Sequence, residues 1–179
     1  MNTNKITYSG FLIALGVLLP IIFHFIPGNI GPILLPIHYA SFLAGGFFGP
    51  YIGMLVGLLT PIISIFLTGM PNFPVIIYIT FETIMYGLIF GYIYYKKHLN
   101  IYLALITAML IGRIVNILGN YLVSEIIFYD IAKPFIFINI LNNLTLGLIG
   151  AIMQIIIIPL VINRVNISLA NINIFKKEK

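Results

Sequence analysis

The chain has 179 residues, 61% of them hydrophobic and 7% charged, with a formal net charge of +5 and a mean hydropathy of +1.13. No soluble domain of this size hides so much apolar surface, and a disordered chain needs more charge, so lipid is the solvent. The few basic residues gather at segment ends, as membrane topology requires and nucleic-acid binding does not, and the lack of cysteine excludes disulfides and thiol chemistry.

Six spans are predicted, at about 7–26, 37–48, 51–68, 75–95, 101–123 and 135–163, in one all-α membrane domain covering residues 1–179. The first follows Lys5 and is too long for a signal-peptide core. It ends in His24-Phe25-Ile26-Pro27 rather than a small-residue cleavage site, so it is expected to be retained. Pro27, Gly28, Gly31, Pro32 and Pro36 break the chain before the second span, which is short for a bilayer that takes about 20 helical residues. Gly49-Pro50 and the stretch from Gly69 to Pro74 mark the next two breaks. Across spans 2 and 3, Gly45, Gly49, Gly53 and Gly57 recur every fourth position, and Gly10-xxx-Ala14 lies in span 1. Such stripes let backbones approach closely in lipid, either inside the bundle or against a partner.

Spans 4 and 5 carry Glu82 and Arg113, the only acidic and the only basic side chain of the apolar body. Each costs about 2.5–3.5 kcal/mol in hydrocarbon even on the mild insertion scale, so they are expected to pair or to serve a site. An even span count puts Lys5, Lys96, Lys97, Arg164, Lys176, Lys177 and Lys179 on one side, against Glu125, Asp130 and Lys133 on the other. Both termini are therefore expected to be cytoplasmic, in a bacterial-type cell membrane.

Helical rise places the polar residues in one layer of the outer half. Glu82 lies roughly 10 Å, Arg113 roughly 15 Å and Asn142 and Asn143 roughly 10–12 Å below the outer ends of their spans, with Thr60 and Ser64 at comparable depth. They also share faces: Arg113, Asn116 and Asn120 form one stripe, Tyr78, Glu82 and Tyr86 a second, Asn139 and Asn143 a third. Amides beside an Arg make a poor lipid-facing surface, so these stripes are expected to face the interior or a water-filled cavity. His38, where the loop from span 1 enters span 2, is expected near the mouth of that layer. The same residues could instead serve only as interhelical ties.

Motifs for catalysis are absent. No phosphate-binding loop, HExxH, CxxC, carboxylate cluster or Gly-x-Ser-x-Gly elbow occurs, so neither a catalytic residue, a metal site nor a cofactor is expected.

Leu35-Pro36-Ile37-His38, the run from Leu43 to Pro50, Gly57-Leu58-Leu59-Thr60-Pro61, Leu67-Thr68-Gly69-Met70-Pro71, and Phe81-Glu82 with Tyr86-Gly87 together resemble S components of energy-coupling factor (ECF) transporters. The resemblance covers about residues 7–125. It implies six helices, an outward-facing solute site in the outer half under a loop that follows the first span, and partners in a transmembrane coupling subunit and two cytoplasmic ATPases. It also implies docking through small residues of span 1, here Gly10 and Ala14. The candidate substrate-binding residues are His38, Thr60, Ser64, Glu82, Tyr86, Arg113, Asn116, Asn120, Asn139 and Asn143. A paired acid and base with amides suits a small polar heterocycle such as a pyridine or pyrimidine vitamin or precursor. The alternatives are a membrane scaffold that binds no solute and a small channel or facilitator.

Overall fold

The structure is a computed structural model that describes the backbone of residues 3–24, 36–127 and 137–172 and the side chains of residues 3–22, 36–126 and 147–166. Six helices follow in order: α1 (Thr3–His24), α2 (Ile37–Phe48), α3 (Pro50–Thr68), α4 (Val75–Phe90), α5 (Ile101–Leu122) and α6 (Phe137–Ile172). π-Helical segments prolong α4 over Gly91–Lys96 and α5 over Val123–Ile127. Among the described residues there is no strand.

The breaks have local causes. Gly49 sits at φ 94°, a region open to glycine at little cost, and its N–H bonds to the Gly45 carbonyl at 3.1 Å. Pro50 then opens α3 at a position whose N–H has no helical partner anyway. Gly69, at φ 72°, ends α3 as a left-handed cap with its N–H on the Ile65 carbonyl. The side chain of Asn100 accepts from the Tyr102 N–H at 2.8 Å and so caps α5.

Among the described residues five helices are long and apolar enough to cross a membrane, where six spans were expected. The exception is α2, whose 12 residues reach roughly 18 Å against a hydrocarbon core of about 30 Å. Eight of those residues are buried, so protein rather than lipid surrounds most of this helix.

The glycine stripe is consumed inside the bundle. A Cβ on Gly45 or Gly53 would strike the Gly87 carbonyl, and one on Gly57 would strike the Thr83 carbonyl, so α2 and α3 both lie backbone to backbone on α4. Thr83 adds a cross-helix tie, its hydroxyl donating to the Gly57 carbonyl at 2.6 Å. Two apolar clusters flank this crossing. Phe42, Tyr86, Phe90, Ala104, Leu105, Ala108, Ile158 and Ile162 join α2, α4, α5 and α6, while Leu12, Ala40, Ala44, Ile52 and Val56 join α1, α2 and α3.

This crossing leaves no room for side chains. Gly53→Leu is expected to lower the unfolding midpoint in detergent by the equivalent of at least about 1–3 kcal/mol, the usual cost of overpacking. Gly10→Leu, on an open face of α1 where an added Cβ meets nothing within 4 Å, is expected to leave it unchanged.

Candidate functional site

Glu82 projects from the middle of α4 and is 1% exposed. Its Oε1 accepts from the Tyr86 hydroxyl one turn on at 2.5 Å and lies 3.4 Å from Nη1 of Arg113. Its Oε2 accepts from Nδ2 of Asn116 at 2.7 Å. Arg113 and Asn116 are three residues apart on α5 and so reach α4 from one helix face. The carboxylate thus meets donors from its own helix and from the neighbour, which is what a buried acid needs in a low-dielectric medium.

The approach of α4 to α5 depends on Gly112. A Cβ there would collide with the Tyr86 ring, so only a glycine lets that ring approach the α5 backbone. Phe42 of α2 stacks on Tyr86, with centroids 4.6 Å apart and planes inclined by 19°. The hydroxyl of Tyr86 is thereby aimed at Glu82.

His38 enters from the first turn of α2 and is 2% exposed. Its ring meets Tyr86 edge-on at 5.1 Å, and its Nε2 lies 3.8 Å from Oε2 of Glu82, beyond hydrogen-bonding reach. Among the described residues neither ring nitrogen has a hydrogen-bond partner. A neutral imidazole offers one donor and one acceptor, and here both are uncommitted. Arg113 has five N–H groups and a side chain that is 24% exposed, and among the described residues its ion pair is with Glu82.

Beside this cluster a crevice of about 240 Å³ separates α5 from α6. Tyr86 and Arg113 belong to both the cluster and the crevice wall, whose other described lining is apolar apart from Gln154.

Residues 4–164 match the family model of the substrate-specific component of ECF transporters. The chain belongs to this family. Neither a curated protein nor a solved structure matches it. As an S component it is a multi-pass membrane subunit of a transporter that binds a substrate, and its role is transport rather than catalysis.

The other residues singled out in the sequence of this S component are placed differently. Thr60 is buried, but its hydroxyl donates to the Val56 carbonyl at 2.7 Å and its methyl group packs where a Gly16 side chain would be. Ser64 donates to the Met70 carbonyl at 2.8 Å and closes the end of α3. The side-chain oxygen of Asn120 accepts from the Ser124 hydroxyl at 3.0 Å, within its own helix and the π-helical turn that follows. No hydrogen bond among the described residues joins these three to Glu82. Asn139 and Asn143 lie in α6, where their side chains fall outside the described residues. His38, expected near the mouth of the polar layer, is buried with its ring against Tyr86. Gly10 and Ala14 are exposed on one face of α1, whereas Gly16 is buried against Ala40 and Thr60. Gln154, which has no place in the stripes read from the sequence, is buried at the crevice wall. Its only sequence signal is a lone amide within an apolar run. Among the described residues, no three His, Cys, Asp or Glu side chains come together as a metal site would require.

The two halves of the cluster should respond oppositely to apolar replacement. His38→Phe removes a buried group without partners and is expected to leave thermal stability unchanged or raised. Glu82→Leu strips Tyr86, Asn116 and Arg113 of their acceptor and is expected to cost at least about 1–3 kcal/mol, read from unfolding in detergent.

Proposed function

We propose that His38, Glu82, Tyr86, Arg113 and Asn116 form the solute site of this S component, open to the outside of the cell. The observation that carries the reading is His38: a buried imidazole whose two nitrogens have no partner among the described residues, beside the single carboxylate of the membrane body. A buried polar group without partners is costly to maintain, and a ligand that hydrogen-bonds to it removes that cost. The fixed Glu82 and the spare N–H groups of Arg113 supply an acceptor and further donors at the same place. Asn139 and Asn143 complete the site from α6, while Thr60, Ser64 and Asn120 shape its walls through bonds within their own segments.

In this reading the chain is the high-affinity capture subunit of an ATP-driven importer, and its solute is a small polar heterocycle of the vitamin or vitamin-precursor kind. ATP hydrolysis belongs to two cytoplasmic partner ATPases, coupled through a transmembrane subunit that docks on the small-residue face of α1 at Gly10 and Ala14. The chain forms one membrane domain of six spans in a bacterial-type membrane, α2 being the short one, with both termini cytoplasmic. The basic excess at the termini and in the 96–97 turn supports that orientation.

Gently purified protein is expected to carry a small molecule visible by native mass spectrometry. Arg113→Met is expected to weaken its binding by about 1–3 kcal/mol, the usual loss for one buried hydrogen-bonding partner. Wild-type protein that carries nothing, or an Arg113→Met variant that binds as well as wild type, would count against the site. Ala14→Trp is expected to retain the bound molecule but to lose co-purification with a co-expressed coupling subunit and ATPases. Intact assembly would remove α1 as the docking face.

A further inference from the structure

The apolar body contains two formal charges, one of each sign, and they face each other at 3.4 Å. As an ion pair these two cancel, so the described cluster carries no net charge before anything binds. Glu82 is also tied by Tyr86 and Asn116, so it cannot swing out to follow a ligand without stranding both.

That balance restricts what the site can take. An anionic solute would draw Arg113 away and bring a second negative charge against Glu82. A cationic solute would compete for Glu82 and leave Arg113 alone at the edge of hydrocarbon. Either way an unpaired charge is left where solvation is poor. A net-neutral solute leaves the pair closed and uses what is free, namely the donor and acceptor of His38 and the remaining N–H groups of Arg113.

The shape of the neighbouring space adds a second restriction. The crevice starts at Arg113 and Tyr86 and runs along α5 to Ile106, two helical turns or roughly 10 Å away. Met109, Leu110, Leu148, Ala151 and Ile155 line it. At about 240 Å³ it has room for a small apolar group.

Resting on the solute-site reading above, we propose that the solute is a small, net-neutral, amphipathic molecule. Its polar edge lies on His38 and Arg113, beside Glu82, and its apolar part fills the crevice between α5 and α6. Met109, Leu110 and Ala151 set the size of the apolar part, and the closed Glu82–Arg113 pair rejects charged analogues.

The test uses a rich-medium extract split at pH 7 by anion- and cation-exchange resins into an unretained neutral pool, an anion pool and a cation pool. Each is added to the detergent-purified chain, emptied by dialysis, and the unfolding midpoint is measured. Binding to the folded state alone raises that midpoint. The neutral pool is expected to raise it by several degrees and the retained pools to leave it unmoved. A rise with a retained pool would overturn the inference while keeping the chain a solute-binding subunit. No rise with any pool would overturn the solute-site reading itself, and the inference with it. Ala151→Phe, which fills the crevice, is expected to abolish the rise; Leu110→Phe, at the crevice rim, serves if that variant does not fold. An undiminished rise in a folded, crevice-filled variant would overturn the placement of the apolar part.

Discussion

A carboxyl group inside a bilayer survives only if polar partners surround it, and in this chain that requirement fixes the meeting of α4 with α5. Glu82 receives Tyr86 from its own helix and Asn116 and Arg113 from the next. None of the three could be moved to another helix face without leaving a polar group in hydrocarbon. The carboxylate therefore sets the rotational phase of both helices, and so also which side of α5 turns towards α6 and the crevice. Interactions among buried polar groups gain strength from the low dielectric, and the same low dielectric punishes any that is left over.

The packing that allows this is glycine against backbone. Gly87 meets Gly45 and Gly53, and Gly112 admits the Tyr86 ring. Lipid offers no hydrophobic drive for helix association, so close van der Waals contact and hydrogen bonds such as that of Thr83 to Gly57 have to supply it. The short α2 then needs no bilayer-matched length, because it is wrapped by α1, α3 and α4. Its first turn ends inside the protein, and His38 is delivered there beside the carboxylate.

Much of this could be read from residue spacing. Tyr86 follows Glu82 by one turn, and Asn116 follows Arg113 by three residues, so helical periodicity alone predicts that each pair shares a face. The break at Gly49-Pro50 was equally legible, because each residue suits only one side of a helix boundary. What could not be read is partner choice. A threonine or serine in a helix either reaches across to a neighbour or bonds back to a carbonyl of its own chain, and the sequence is the same in both cases. Thr60 bonds back to Val56, and Ser64 reaches forward to the Met70 carbonyl past the end of α3. The enclosure of His38 depends on how a 12-residue helix is wrapped, which no local pattern encodes. Gln154 is a single amide without a periodic companion, and the role of Gly112 lies in the ring it makes room for rather than in its own chemistry.

The central claim is that the Glu82–Arg113 cluster serves a solute and is more than a tie between two helices. The two possibilities part in the double replacement Glu82→Leu with Arg113→Met, since removing both members of a buried pair is often nearly neutral for folding whereas removing one is not. Native mass spectrometry of the gently purified double variant, alongside its unfolding midpoint, separates them. If the cluster is the solute site, the double variant regains stability over Glu82→Leu and carries no bound small molecule. A double variant that is stable and still carries the wild-type complement of bound small molecule would contradict the claim and leave the pair a structural tie.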